Sequence, residues 1–152
     1  MEKEAGALQA LADFRQATMQ LDNVYSIFSK SCGLSEAEYW SLLLMYEGLA
    51  TQSQISGQLF LSRQTLNSAF KQLQKKGLIR LEPCRENQRT KQAFFTDNGK
   101  QFVEETVARM HQVEEQAWRR LGQEEQEALT GLTRKFSRFI LQELEAEKWN
   151  TM

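Results

Sequence analysis

Cysteine, proline and histidine are scarce in this chain, and their scarcity excludes several classes of protein. The 152 residues include 2 cysteines, 1 proline and 1 histidine. Cys32 and Cys84 are too few and too far apart in sequence for a disulfide scaffold, which fits a reducing cytosol. Because neither belongs to a Cys-x-x-Cys pair, we expect no His/Cys metal site and no other cofactor.

Long apolar runs and catalytic motifs are also missing. The longest apolar run, residues 42–46, is far shorter than the about 18 residues that a transmembrane helix needs. The N-terminus lacks the pattern of a signal peptide, so we expect a cytoplasmic protein with no membrane partner. His111 would have to serve any His-based triad, and its polar neighbours predict an exposed surface residue instead. With no Gly-rich phosphate loop either, we expect no enzyme.

Charge is distributed unevenly along the chain, although the formal net charge is only -1. Residues 51–100 carry nine Lys/Arg against three Asp/Glu, a balance of +6, whereas residues 1–50 total -4 and residues 101–152 total -3. A basic block between two acidic flanks is typical of a protein that binds a nucleic acid duplex through its middle segment.

The basic block contains the predicted order of helix, tight turn, helix and two-stranded ribbon. Apolar residues that step by three or four predict the helices, and the patterns Ser35-x-x-Glu38 and Thr51-x-x-Gln54 are capping boxes that begin two of them. Two short segments on either side of the polar loop 85–89 are predicted to be the strands of the ribbon. The predicted helices span about 7–30, 35–48, 51–59, 62–76, 96–121 and from 124 onward, and the strands span 78–82 and 91–96.

These elements predict a mainly α fold with a small β-ribbon wing: a winged helix-turn-helix whose N- and C-terminal helices form a dimerisation layer. The predicted parts are an N-terminal dimerisation helix (1–33), a DNA-binding domain (34–100) and C-terminal dimerisation helices (101–152). The terminal helices carry more apolar positions than one small wing domain can cover, so we expect a two-fold homodimer. An intramolecular cap on the wing domain is the alternative.

The helix after the turn has a polar face suited to contacts with base edges. At about 100° per residue, its apolar positions gather on one side and its amides, hydroxyl and ammonium groups on the other. The ribbon loop adds arginines that suit a narrow minor groove. A solvated polar face and an ordinary charged hairpin are the alternative. The predicted DNA-binding residues are Ser62, Arg63, Gln64, Thr65, Asn67, Ser68, Lys71, Lys75, Arg85, Asn87, Arg89 and Lys91.

An ordered set of short motifs covers residues 34–100. LSEAEYWSL at 34–42 is similar to an "LT…Q(W/F)…L" opening, and 61–66 with 73–79 looks like a recognition helix and its "L-x-x-K-G-L/V-I/V" exit. Residues 83–89 resemble a wing, and 95–99 resemble its "LT-x-x-G" close. Together they resemble the MarR (multiple antibiotic resistance regulator) family. The resemblance implies a homodimeric winged helix-turn-helix repressor or activator, usually relieved by a small molecule or an oxidant.

Two further expectations follow from this resemblance. Family members commonly bind effectors between dimer arms and wing domain, and five aromatic residues are predicted to line such a cleft for a small aromatic or hydrophobic effector, with simple core packing as the alternative. Some members sense peroxide through a single cysteine, which makes Cys32 a redox candidate against the alternative of an incidental buried thiol. The five aromatic residues are Tyr25, Phe28, Tyr39, Trp40 and Tyr46.

The sequence thus predicts a DNA-binding transcriptional regulator, a repressor that acts as a homodimer on a pseudo-palindromic operator and is released by a small ligand. Its expected partners are double-stranded DNA and a second copy of itself. The alternatives are a winged-helix protein-interaction module without DNA binding, for which a neutral or acidic recognition helix is expected, and a cysteine-based redox-sensing regulator.

Overall fold

The structure is a computed structural model that describes residues 1–87 and 89–148. Its internal contacts divide the chain into two compact units, Met1–His111 and Gln112–Met152. Gln88 in the predicted wing and 149–152 at the end of the predicted C-terminal helices lie outside the described residues. The three-part organisation drawn from the sequence stays a prediction.

The order of elements confirms a mainly helical fold with a two-stranded wing. The first unit begins with a long helix and continues through a helix-turn-helix, a β-hairpin and a further helix, while α6 crosses from the first unit into the second. The elements are α1 Glu2–Ser31, α2 Glu36–Tyr46, α3 Gln52–Leu59, α4 Arg63–Lys75, β1 Ile79–Pro83, β2 Lys91–Phe95, α5 Asp97–Glu105, α6 Val107–Arg119 and α7 Gln123–Ala146.

Both predicted capping boxes are present and set where α2 and α3 begin. Ser35 Oγ accepts from the Glu38 backbone N–H at 3.2 Å, and Glu38 Oε2 accepts from the Ser35 backbone N–H at 3.2 Å. Thr51 and Gln54 make the same reciprocal pair, at 3.2 and 3.1 Å. Each box satisfies donors that the first turn of a helix leaves without a partner, so these helix starts are encoded locally.

The turn between α3 and α4 is built on an unusual residue. Phe60 has φ 53° and ψ 30°, the left-handed conformation that glycine and asparagine adopt most easily. Its side chain is 93% exposed. The chain therefore places a large apolar side chain in solvent at the tight turn that precedes the second helix of the motif.

The core of the first unit lies between α2, α4 and the wing. The apolar side of α4 is buried as its helical projection predicts, with exposures of 1% for Leu66, 5% for Ala69, 1% for Phe70 and 0% for Leu73. Because this side is fixed against α2 and the strands, the orientation of the opposite, polar side is fixed as well.

The wing is a short antiparallel hairpin that is anchored at its base. Strands β1 and β2 pair from Ile79↔Phe95 to Pro83↔Lys91. At Gly99, near the start of α5, any side chain would clash, because a Cβ there would lie 1.8 Å from the Leu78 carbonyl oxygen. This close approach gives a physical reason for glycine at the end of the 95–99 motif.

The predicted continuous helix over 96–121 is wrong, because it is interrupted at Thr106. This residue has φ -126° and ψ -79°, and it separates α5 from α6. Its Oγ1 donates to the Phe102 carbonyl oxygen at 2.6 Å. Such a bond back to the preceding turn often bends a helix, but Thr133 makes the same bond at 2.6 Å within the uninterrupted α7, so the bond alone does not account for the break. No glycine or proline marks the position.

The long terminal helices keep much apolar surface exposed, each within its own unit. No described residue of α7 is buried, and Leu132 and Leu141 are 62% and 56% exposed. In α1, Leu8 and Leu21 are 69% and 53% exposed. Among the described residues, no helix is both long and apolar enough to cross a membrane.

Candidate nucleic-acid interface

Helix α4 begins with a pair of hydroxyl groups that cap it. Ser62 Oγ accepts from the Thr65 backbone N–H at 3.1 Å, and the two side-chain oxygens share a hydrogen bond of 2.8 Å. Both residues were predicted to bind DNA. In the structure their hydroxyls hold the first turn of α4, and both residues remain exposed there.

The polar side of α4 forms an exposed, basic surface. No acidic residue occurs in α4, so cations and amides share this side without a competing carboxylate. Amide groups offer a donor and an acceptor to base edges, while lysine and arginine offer only donors. We call the exposed residues Arg63, Gln64, Asn67, Ser68, Lys71 and Lys75 the recognition face.

One member of the recognition face has a partner that sequence reasoning missed. The Nε2 of Gln52, the first residue of α3, donates a hydrogen bond to Asn67 Oδ1. Gln52 is half-buried and Asn67 is exposed. The position of Gln52 directly after the helix cap at Thr51 was the available signal, but the pairing itself depends on how α3 and α4 pack.

Hydrogen bonds close the wing loop, residues 84–90, and leave its arginine side chains exposed to solvent. Asn87 Oδ1 accepts from the Arg89 backbone N–H at 3.1 Å, and the Thr90 N–H donates to the Asn87 carbonyl at 3.0 Å. The Cys84 N–H donates to the Thr90 carbonyl at 2.9 Å. Arg85, Arg89 and Lys91 are exposed, so the hairpin presents cations near its tip.

Arg80 is a further cation of the hairpin that sequence reasoning did not select. Its Nε lies 3.1 Å from Glu82 Oε1, and its guanidinium carbon lies 4.8 Å from the centre of the Phe94 ring. These contacts hold the side chain along the strands, beside a depression of about 330 Å³ that Lys100 also lines. Arg80 is therefore partly neutralised, unlike the cations that the tip presents.

Four of the five aromatic residues predicted to line an effector cleft lie together. Tyr25 and Trp40 have ring centres 5.0 Å apart, Tyr39 and Trp40 5.2 Å, and Phe28 and Tyr39 6.3 Å. Tyr39 is 0% exposed, so this cluster contributes to the core whether or not it also borders a ligand site. Its role toward an effector stays a prediction.

Tyr46 lies apart from these four rings. It is 42% exposed, and its ring centre lies 6.3 Å from that of His111. His111 is half-buried, so the prediction of an exposed surface histidine is wrong. The helix that carries it packs closely enough to cover part of the imidazole.

Cys32, the redox candidate, lies in the core with 8% exposure. Burial raises the pKa of its thiol above the ordinary value of 9.0, while a hydrogen bond with the Thr106 side chain acts in the opposite direction with less effect. A raised pKa lowers the fraction of thiolate, which is the form that reacts with peroxide. The surroundings of Cys32 therefore favour an unreactive thiol.

The helix-turn-helix and wing loop match a known family. A protein-family model described as the MarR family matches residues 33–90. Residues 33–90 are therefore similar to a MarR-family domain. The match covers α2, α3, α4, β1 and the whole wing loop. No curated protein matches the chain in sequence.

Solved MarR-like structures share the fold over most of the chain. Reduced AbfR bound to DNA has a TM-score of 0.67 at 22% identity, over 93% of this chain and 99% of that one. BldR from Sulfolobus solfataricus has a TM-score of 0.66 at 19% identity, over 91% and 99%. PcaV from Streptomyces coelicolor, in complex with its natural ligand, has a TM-score of 0.63 at 16% identity, over 80% and 89%.

The wing departs from the Asp-x-Arg pattern that is common in the MarR family, which this segment resembles. Asn87 stands at the aspartate position, so the side chain of Arg89 has a neutral amide two residues before it instead of a carboxylate. The amide oxygen still accepts from the Arg89 backbone N–H. The turn is thus retained, and the charge of the arginine is left uncompensated by this position.

Proposed function

We propose that this protein is a sequence-specific, DNA-binding transcriptional repressor that acts as a homodimer on a pseudo-palindromic operator. The observation that carries the proposal is the recognition face: an exposed helix surface of amides, a hydroxyl and cations with no carboxylate in the helix. Such a surface fits the major groove, where amides and cations pair with base edges and phosphates. Operator binding at a promoter would exclude the transcription machinery.

The wing loop supplies the second part of the proposed interface. Its exposed arginines, Arg85 and Arg89, suit the narrow minor groove beside the helix, while Lys91 and Arg63 suit phosphates. Each phosphate that a cation neutralises releases a counterion and adds about -0.9 to the slope of log K against log salt. We therefore expect binding that weakens steeply as salt increases.

The terminal helices support assembly as a homodimer. Apolar residues such as Leu8 in α1 and Leu132 in α7 are 69% and 62% exposed in a single chain, and exposed apolar area of this kind favours association. A two-fold dimer places its two recognition helices about one DNA turn apart, which is why the operator is proposed to be a pseudo-palindrome.

Release by a small aromatic or hydrophobic effector is the proposed regulation. The cluster of Tyr25, Phe28, Tyr39 and Trp40 joins α1 to α2 and so lies where a bound ring would affect both elements. Titration of intrinsic tryptophan fluorescence with phenolic compounds tests this point. A flat response from every compound would contradict it.

Selection of bound sites from a random DNA pool by the purified protein tests the proposed function as a whole. We expect enrichment of a pseudo-palindrome with half-site centres about 10 base pairs apart. Lys71→Glu, which reverses a charge on the recognition face, should abolish enrichment, whereas Lys135→Glu in α7 should not. If the unaltered protein enriches no sequence, a protein-interaction module is the better assignment.

A further inference from the structure

The hydrogen bond between Gln52 and Asn67 connects a residue outside the recognition face to one that belongs to it, and it orients the side-chain amide of Asn67. Gln52 Nε2 donates to Asn67 Oδ1, which turns the carbonyl side of the Asn67 amide toward α3. An amide group is planar, with oxygen and nitrogen on opposite sides of one carbon. When the oxygen is held toward α3, the Nδ2 group, with its two N–H donors, is turned away from α3.

The backbone at Gln52 is fixed, so the Cα atom from which its side chain extends has a defined position. Thr51 and Gln54 form the capping box on either side of it, with bonds of 3.2 and 3.1 Å. Asn67 is equally fixed, because Leu66 and Phe70 on the same helix are 1% exposed. Both ends of the Gln52–Asn67 contact are therefore held by structure that does not depend on the contact itself.

The chemical consequence concerns which base Asn67 prefers. A free asparagine offers one acceptor and one donor side by side, the complement of the adenine N6 and N7 positions. An asparagine whose oxygen is held by Gln52 offers mainly two N–H donors, the complement of the two guanine acceptors, N7 and O6. We propose that Gln52 is a positioning residue that converts Asn67 from an adenine-selective into a guanine-selective contact. This inference rests on the proposed DNA-binding function.

Two variants of Gln52 separate this role from a merely structural one. Gln52→Ala removes the donor and frees the Asn67 amide to rotate. Gln52→Glu keeps the length of the side chain but can only accept, so the Asn67 amide must turn over to donate to it and then presents its oxygen outward. Gln54→Glu is the matched control for charge, because its oxygen still accepts from the Thr51 and Ala50 N–H groups.

Base preference within the selected half-site is the measurement. The unaltered protein should show one position with about a tenfold preference for guanine over adenine, and Asn67→Ala should abolish that preference. In Gln52→Ala the preference for guanine over adenine should fall below about threefold, or adenine should become the preferred base. In Gln52→Glu guanine should no longer be preferred at this position. Gln54→Glu should keep the guanine preference, with weaker binding at every sequence.

The outcomes distinguish failure of this inference from failure of the proposed function. If the unaltered protein selects a site and Gln52→Ala selects the same bases, the positioning role is refuted while DNA binding stands. If the unaltered protein selects no site, the proposed function fails, and the base preference inferred here fails with it. The Asn67 side-chain amide resonances of the free protein check the contact itself: they should shift in Gln52→Ala and stay in place in Gln54→Glu, and unchanged positions in both would refute it.

Discussion

Lys76 Nζ lies 2.7 Å from Glu38 Oε1 and ties the C-terminal end of α4 to the first turn of α2. The Glu38 side chain is only 5% exposed and that of Lys76 is 40% exposed. The second carboxylate oxygen accepts from the Ser35 backbone N–H at 3.2 Å, so one buried carboxylate serves both a helix cap and an ion pair. A cation at the C-terminal end of α4 also interacts favourably with the helix dipole.

Removal of this ion pair should destabilise the protein. Lys76→Met leaves a buried carboxylate without its cation, and since the lysine is partly exposed we expect a loss of about 1–2 kcal/mol in the free energy of unfolding. Urea denaturation measures this change in the free energy of unfolding. Lys75→Met, at the exposed position just before, should change the free energy by less than about 0.5 kcal/mol. Equal effects of the two variants would show that the ion pair contributes nothing specific.

The wing loop should lose its shape without the side chain of Asn87. Because Asn87 Oδ1 accepts from the Arg89 backbone N–H at 3.1 Å, Asn87→Ala should raise the mobility of Arg89 and lower DNA affinity about three- to tenfold, without altering base preference. Relaxation of the Arg89 amide resonance and binding titrations measure the two effects. Glu86→Ala, an adjacent change that removes a carboxylate, should not lower affinity. An Asn87→Ala protein with unaltered affinity would contradict the expectation.

The recognition face and the wing should contribute to binding in different ways. Arg89→Ala removes a cation, so affinity should fall for every sequence. The slope of log K against log salt should become shallower by about one unit per half-site. Gln64→Ala removes an amide from the recognition face, so sequence preference should change while the salt dependence is retained. Titrations at several salt concentrations, on selected and unselected DNA, measure both. Loss of specificity in both variants alike would contradict these roles.

Local patterns were sufficient to predict the parts of the fold that local interactions determine. The capping box of Ser35 and Glu38 is an interaction over three residues, and the buried side of α4 follows from helical periodicity at Leu66 and Phe70. The same periodicity placed the recognition face on the exposed side, because a helix with one side buried can present only the other.

Features that depend on tertiary contacts had no local signal. Thr106 separates α5 from α6 without a glycine or proline, and its side chain also contacts the Cys32 thiol of another element. The separation of Tyr46 from Tyr39 is an exception, because seven positions along α2 correspond to about two turns, roughly 10 Å along the axis, and this follows from helical spacing alone. The Gln52 contact with Asn67 likewise depends on packing between two helices.

The two cysteines should differ in reactivity. Cys32 is buried, whereas Cys84 in the wing loop is half-buried, so iodoacetamide at pH 8 should modify Cys84 at least about tenfold faster. Mass spectrometry of the digested protein measures the rates, and protein unfolded in urea, in which both should react alike, is the control. Faster modification of Cys32 would support the redox hypothesis. Release from DNA by peroxide would support it as well, provided that Cys32→Ser abolishes that release.

The raised pKa of Cys32 also predicts a direction for stability at alkaline pH. The thiol ionises near its ordinary value of 9.0 in the unfolded chain and at higher pH in the folded protein. Its contribution to stability is therefore complete below about pH 9 and is lost as the pH rises through the folded-state pKa. Cys32→Ala should reduce this alkaline loss, as measured by urea denaturation at pH 8 and pH 10. An identical loss in both proteins would show that other groups cause it.

The apolar stripe of α7 should mediate dimerisation. Leu129, Leu132 and Phe136 recur at helical spacing, whereas Leu141 lies well off this stripe at about 100° per residue. Leu132 and Leu141 are similarly exposed in the single chain, at 62% and 56%. Leu132→Glu places a charge within the proposed interface, so it should shift the protein toward monomer, while Leu141→Glu should leave the dimer intact.

Sedimentation velocity over a range of protein concentrations measures this shift, and circular dichroism checks that both variants keep their helices. Because one half-site alone loses the contribution of the second, the Leu132→Glu monomer should bind the full operator at least about a hundredfold more weakly than the dimer. Two outcomes would count against an α7 interface: an unaltered protein that is monomeric at every concentration, or a Leu141→Glu protein that dissociates as readily as Leu132→Glu.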